Sequence, residues 1–214
     1  DEIRIILAED SPTMRHYLAA IIAEASDMCV VGEARNGQEA IRMVAELRPN
    51  VVSMDINMPK VDGLEATRQI MAKTPTPIVV VSGLLETDVQ LSLQAIEAGA
   101  LAVVSKPPDR QHSEFDEKKQ HLLKTLRAMA GVRVISRRMQ KYLKRKTAEL
   151  LALRESEPTS YPELIVIGAS TGGPNALLYL LKELPAELPV PIVIVQHMPA
   201  EFISGLAHWL DSIT

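Results

Sequence analysis

Cysteine occurs once in the 214 residues, so a disulfide framework within the chain is excluded. The single Cys29 falls in Met28-Cys29-Val30-Val31, where the expected role is a small core hydrophobe in a buried strand rather than a reactive thiol. Long hydrophobic runs are also missing. The longest are strand-length, and no membrane insertion is expected. Asp1-Glu2 is acidic and no apolar signal segment follows, so the expectation is a cytoplasmic protein. Aromatics are scarce where they would matter for nucleic acid. Arg133 to Arg154 is strongly basic, with Arg137, Arg138, Lys141, Lys144, Arg145 and Lys146, yet Tyr142 stands there alone. Without interleaved rings on which bases could stack, and with a net charge of -4, this stretch reads as a solvated helical linker and no nucleic-acid partner is expected. What the chain does have is apolar surface. Hydrophobic residues make up 47%, enough for a packed core without cross-links.

That apolar content is organised. From residue 3 to 130, short runs at 3–8, 28–34, 51–54, 77–82 and 101–104 alternate with amphipathic stretches. Near-continuous apolar runs suit parallel strands covered on both faces. The stretch from Gln38 to Leu47 places Ala40, Ile41, Val44 and Leu47 on one helical stripe. Ser11-Pro12 reads as an N-cap with proline at the first helical position, and Gln111 to Ala130 as a final helix ended by Gly131. Five such strand–helix units predict an α/β fold, a five-stranded doubly wound parallel sheet. Glu155 to Pro162 marks a boundary. Beyond it Leu164–Ile167 and Pro191–Val195 read as strands, with helices over Ala176–Leu184 and Phe202–Ile213. The expected domains are 1–130, a basic helical linker over 131–160, and 161–214 as the first two βα units of a second, incomplete parallel α/β domain. Two such units leave an apolar sheet face open, so the chain is expected to be part of a larger protein.

The strand ends of the first unit carry chemistry. Glu9-Asp10 follows the first apolar run, Asp55 the third, and Lys106 the last. Parallel strands deliver their ends to one edge, so these side chains can meet there. Three carboxylates around one lysine repel without a cation. With Mg²⁺ they form a phosphoryl-transfer site whose middle carboxylate, Asp55, is the acceptor. For any one of these residues a turn or a helix cap is an adequate account; it does not explain the set. Together with Met58-Pro59, Asp62-Gly63, Ser82-Gly83 and Lys106-Pro107, they make residues 3–130 resemble the receiver domain of two-component response regulators. The resemblance implies strand order 2-1-3-4-5 and Mg²⁺ on Asp10 and Asp55, with Glu9 acting through water and the Asn57 backbone carbonyl as a further ligand. It also implies phosphoryl transfer from a histidine kinase to Asp55, with Lys106 and Ser82 supporting the phosphoryl group. Lys106 must aim its ammonium into the acidic site while the chain turns out of the strand, so a cis Lys106–Pro107 peptide is expected at the bond where cis is least costly, and the resemblance suggests the same. One departure stands out. Where many receivers carry an aromatic switch residue, three positions before the lysine, this chain has Val103. That leaves the face from Leu84 to Leu93 as the candidate relay.

The second unit carries Gly168-Ala169-Ser170-Thr171-Gly172-Gly173-Pro174 and then Gln196-His197-Met198-Pro199. A serine on a sharp strand-to-helix turn exposes its hydroxyl beside helix N–H groups. A helix cap is the plainer use of such a serine. The order Ser-then-His departs from the α/β-hydrolases, where an acid intervenes. The glycine turn also lacks Gly-x-Gly-x-x-Gly and its acidic partner, which argues against a dinucleotide site. The pair of motifs, behind a receiver and a linker, resembles the chemotaxis protein-glutamate methylesterase family. The resemblance implies Ser170 as nucleophile and His197 as general base, with no cofactor for the esterase. It implies methylated chemoreceptors as substrates, deamidation of certain receptor glutamines, and a triad acid beyond residue 214. Asp211, on the next helix, is not expected to reach. Ser170 and His197 are expected within about 4 Å of each other, and the receiver is expected to inhibit the esterase until Asp55 is phosphorylated. The competing reading is a non-catalytic response-regulator module acting through protein–protein contacts. A DNA-binding regulator would need a helix-turn-helix or winged domain after the linker; a glycine turn between strands stands there instead.

Overall fold

The computed structural model describes residues 2–83, 89–132, 134, 162–170, 173–185, 187–198 and 200–213. Most of the basic linker, and residues 84–88 of the candidate relay, lie outside these. The first unit runs β1 (Ile3–Ala8), α1 (Pro12–Ala23), β2 (Met28–Ala34), α2 (Gly37–Leu47), β3 (Val51–Met54), α3 (Gly63–Lys73), β4 (Ile78–Ser82), α4 (Val89–Ala98), β5 (Ala102–Ser105) and α5 (Phe115–Ala130). Its strands are all parallel, in the order β2-β1-β3-β4-β5. Both the fold class and the strand order are therefore as expected.

The period of two along each strand builds two cores. Ile5 and Leu7 face α1 and α5, where Leu18, Ile21, Ile22, Leu122, Leu126 and Met129 are buried. Ile6 and Ala8 face the opposite way, toward Ala40, Val44, Ala66, Ile70 and Ala95 of α2, α3 and α4. Each fully buried Ile or Leu contributes about 1.5–3 kcal/mol, and these two layers hold the strand ends in place. Ile41 and Leu47 complete the predicted stripe of α2 as half-buried residues. Val103 packs half-buried against the same layer. Cys29 is only half-buried, because β2 is the edge of the sheet.

Local signals explain most boundaries. Ser11 caps α1 by accepting from the Met14 amide at 3.4 Å, with Pro12 as the first helical residue. Asn36 and Asp62 cap α2 and α3 in the same way. The last helix of this unit starts at Phe115, four residues later than expected. Asp109 competes for the chain there. Its side chain accepts from the Gln111 amide at 2.9 Å and its carbonyl from the His112 amide at 2.9 Å, which makes a turn instead of a first helical turn.

The second unit comprises β6 (Ile165–Ala169), α6 (Gly173–Glu183), β7 (Ile192–Gln196) and α7 (Ala200–Ile213). β6 and β7 pair in parallel, Ile165 with Ile192 through Ala169 with Gln196. One sheet face packs Ile167, Ala169 and Ile194 against Leu177, Leu206 and Leu210. The other leaves Val166, Val193 and Val195 exposed, as two βα units must. Leu93 of α4 joins the same cluster, so the first unit contributes a side chain to the packing of the second. Among the described residues, no helix is long and apolar enough to cross a membrane.

Exposed ion pairs tie α5 back to the N-terminal half. Glu24 accepts from Arg110 and Lys119 at 2.7 Å each, and Asp27 takes a two-pronged pair from Arg127 at 2.6 and 2.8 Å. Hydrogen bonding from Lys119 and from Arg127 holds the two carboxyl groups below their ordinary ranges. A depressed folded-state value contributes stability above the ordinary carboxylate range and loses it as pH falls through the depressed one. The double substitution Glu24→Gln, Asp27→Asn should therefore lower the thermal midpoint at neutral pH. That difference should close between about pH 5 and pH 3. A gap that stays constant with pH would show that the charges contribute nothing.

Candidate phosphoryl and hydrolytic sites

Asp55 stands one residue beyond β3, with its amide donating to the Ala8 carbonyl at 2.9 Å. Glu9, one residue beyond β1, donates its own amide to the Ala34 carbonyl at 3.0 Å. Both carboxylates are buried, at 1% exposure for Glu9 and 5% for Asp55. Lys106 follows β5, and its amide donates to the Ser82 carbonyl at the end of β4. Its ammonium lies 2.7 Å from Glu9 Oε2 and 3.0 Å from Asp55 Oδ1. It reaches both from a trans Lys106–Pro107 peptide, which corrects the expectation of a cis bond. The lysine side chain is long enough to span the strand ends, and nothing in the turn requires the costlier isomer.

The loop after Asp55 depends on one glycine. A Cβ on Gly63 would lie 1.9 Å from the Asp55 carbonyl oxygen, so any side chain there would push α3 off the Asp55 backbone. Asp62-Gly63 thus has a physical meaning. Asp62 starts α3, and Gly63 lets that helix begin against the acidic residue. Asn57 is exposed in this loop, two residues past Asp55, and Ser82 is buried at the end of β4.

Burial pushes the Glu9 and Asp55 carboxyl groups up, and the Lys106 charge only partly offsets that. Burial also opposes the Lys106 charge, but its pairing with Glu9 and Asp55 prevails and raises its value. Ligand oxygens of Glu9, Asp10 and Asp55 lie within 4.8 Å of one another. Three carboxylates against one ammonium leave two uncompensated negative charges. Glu9 Oε2 is buried and takes no aligned hydrogen bond, only the ammonium beside it. An all-oxygen, net-negative cluster with an exposed member, Asp10, fits a hard divalent cation that keeps some of its waters.

Sequence reasoning missed Arg15. Its Nη1 donates to the Glu9 carbonyl at 2.8 Å and to the Asp10 carbonyl at 3.4 Å, while Nε pairs with Glu33 at 3.2 Å. The guanidinium thus braces the backbone that carries both acidic side chains. A signal existed. Arg15, Leu18 and Ile22 share one helical stripe, and an arginine on an otherwise apolar, core-facing stripe needs a partner.

The second constellation forms where β6 and β7 end. Ser170 and His197 each follow their strand by one residue, and the His197 amide donates to the Ala169 carbonyl at 2.8 Å. Ser170 Oγ lies 3.3 Å from His197 Nδ1, inside the expected separation and on one edge of the sheet. A hydroxyl and an imidazole so placed can exchange a proton. Asp211 is exposed on α7.

Two known families match parts of the chain. The response regulator receiver domain family matches residues 5–114, and the CheB methylesterase family matches residues 165–214. A protein-glutamate methylesterase/protein-glutamine glutaminase of Myxococcus xanthus is 48% identical over 98% of this chain and 59% of its own length. A second so named, from Methanospirillum hungatei, is 42% identical over 99% of this chain and 61% of its own. The chain therefore spans about three fifths of these curated relatives. Among solved structures, the response regulator domain of Thermotoga maritima CheB superposes with a TM-score of 0.57 at 37% identity, covering 62% of this chain and 99% of that one. CheY6 bound to the P1 domain of CheA3, from R. sphaeroides, gives a structure similar at 29% identity and a TM-score of 0.52, over 62% of this chain and 99% of that one. With the receiver family covering more than half of its residues, the chain belongs to the response regulator receiver family.

Proposed function

We propose that this chain is the receiver, linker and first part of the catalytic domain of a phosphorylation-regulated protein-glutamate methylesterase and receptor glutamine deamidase. The divisions are residues 1–130, 131–160 and 161–214. The observation that carries the reading is the 3.3 Å approach of Ser170 Oγ to His197 Nδ1 at adjacent strand ends, in a chain whose other strand ends gather Glu9, Asp10, Asp55 and Lys106.

In the receiver, an Asp55 oxygen attacks the phosphorus of a phosphohistidine on a chemotaxis histidine kinase. The P–N bond breaks, and an acyl phosphate forms on Asp55. Glu9, Asp10, Asp55 and the Asn57 carbonyl would hold Mg²⁺, which supplies charge neutralisation for the transferred group. Lys106 contributes a fixed positive charge at the same oxygen, and Ser82 hydrogen-bonds a phosphoryl oxygen. In the esterase, Ser170 Oγ attacks the glutamyl ester carbonyl of a methylated chemoreceptor while His197 takes its proton. The tetrahedral intermediate expels methanol with that proton. Water, activated by His197, then releases glutamate and restores Ser170. With glutamine the leaving group is ammonia. The esterase needs no cofactor of its own.

The α4 contact supplies a route between the two sites. Ser82 ends β4, α4 is the next helix, and Leu93 of α4 packs into the Leu177, Leu206 and Leu210 cluster. In this reading the receiver restrains the esterase, and phosphorylation of Asp55 relieves the restraint.

Incubation with a small phosphodonor and Mg²⁺ should add one phosphoryl group by intact-mass measurement, and Asp55→Asn should abolish it. Arg15→Met should leave the modification site intact but weaken Mg²⁺ binding by about 10-fold, through loss of a backbone brace. Equal labelling of the Asp55 variant would refute the acceptor. Unchanged Mg²⁺ affinity in the Arg15 variant would refute the brace.

Ser170→Ala in the complete protein should abolish demethylation of receptor membranes and leave Asp55 phosphorylation untouched. A signalling module without catalysis would show no demethylation in either form.

Deleting residues 1–130 from the complete protein should raise basal demethylation and remove its response to phosphodonor. Lower activity in the deletion, with no restraint left to relieve, would make the receiver an activator instead.

A further inference from the structure

Ser170 and His197 are both exposed, and each follows its strand by one residue. Exposed side chains beyond a strand end have little packing to set their separation. The neighbouring backbone must set it. In β7 the inward positions run Ile192, Ile194 and Gln196, so the pattern asks for a third aliphatic where a carboxamide stands. That carboxamide donates both of its hydrogens. Gln196 Nε2 lies 2.9 Å from the Ser170 carbonyl and 3.0 Å from the His197 carbonyl. One planar group thus spans the two residues whose side chains meet. The donor end fixes the orientation of the amide, because Oε1 is buried and has no hydrogen-bond partner among the described residues.

The turn is built around this group. A Cβ on Gly173, the first residue of α6, would lie 2.0 Å from Gln196 Oε1 and 2.9 Å from the Ala169 Cβ. The Gly173 amide also donates to the Ser170 carbonyl, at 2.7 Å. That carbonyl is held from two sides, by the start of the helix and by the Gln196 amide.

We infer that Gln196 is a positioning residue for the Ser170–His197 pair: its carboxamide ties the two backbones at a set distance, and Gly173 supplies the clearance. The inference rests on the esterase reading. It adds a residue that touches neither substrate nor the reacting atoms and acts through the two that do. A displacement of about 1 Å between nucleophile and base can cost on the order of 100-fold in rate, so the effect should fall on turnover and not on substrate binding.

The test uses the imidazole nitrogen shifts of His197 in the 214-residue chain and kinetics in the complete protein. In the otherwise unaltered chain, Ser170→Ala should move the His197 Nδ1 resonance. In Gln196→Met, which keeps the length of the side chain but donates nothing, the same substitution should move it by less than about half as much. Gly173→Ala displaces the amide without altering it and should give the same loss, so the result does not hang on one variant folding. In the complete protein, Gln196→Met should lower kcat about 10- to 100-fold with KM within about two-fold. If Ser170→Ala leaves His197 unmoved in the unaltered chain, the Ser–His pair and the esterase reading fail together, and this inference with them. If it moves His197 equally in all three backgrounds, the pair stands and Gln196 has no positioning role. A rise in KM at unchanged kcat would also overturn the role, because it would place Gln196 in substrate binding.

Discussion

The ion pairs of Lys106 with Glu9 and Asp55 are the constraint on which the first half of the molecule depends. Two carboxylates are buried at the ends of β1 and β3, where desolvation works against their charge. One ammonium, delivered from β5, lies within 3.0 Å of both. That requires three non-neighbouring segments of sequence to end at one edge, at matched heights, which is what a parallel sheet with strand order β2-β1-β3-β4-β5 supplies. The apolar layers on the two faces hold the strands in register, and the polar edge spends part of that stability on a site that is strained by its own charge. The surplus negative charge is what suits the edge to a cation.

The second site uses the same architectural rule with different chemistry. Again a parallel pair presents its strand ends side by side, and again the reactive groups stand one residue past the strands. There the problem is geometric where the first was electrostatic. Ser170 and His197 carry no opposing charges to draw them together, so hydrogen bonds to the backbone behind them take over the work that Lys106 does in the receiver.

Much of this was legible in the sequence, for identifiable reasons. Continuous apolar runs such as Ile78–Ser82 are unambiguous because both sheet faces are covered, and Ser11-Pro12 marks a helix start by local chemistry alone. The acidic residues and Lys106 were legible because each directly follows a strand. Three things were not. The α5 boundary moved because the Asp109 side chain and carbonyl captured amides that the helical pattern assigned to the helix. Arg15 and Gln196 were passed over because each is a polar residue on an apolar stripe. The pattern says only that such a residue needs a partner, and the partners here include backbone carbonyls, which no sequence motif records. The isomer at Lys106–Pro107 cannot be read from the turn the lysine makes, because the reach of its side chain makes either form compatible with the site.

Leu93 belongs by sequence to the receiver and by packing to the cluster of Leu177, Leu206 and Leu210. A side chain shared in this way couples two equilibria, and coupling free energy has no preferred direction. Whatever shift of α4 the receiver imposes on the second unit, the second unit imposes on α4 in return. On the proposed function, a receptor segment seated near Ser170 and His197 would therefore bias the same α4 equilibrium that phosphorylation of Asp55 biases. The output end of this molecule would then report back to its input, and the balance of receiver states would depend on how much substrate is bound.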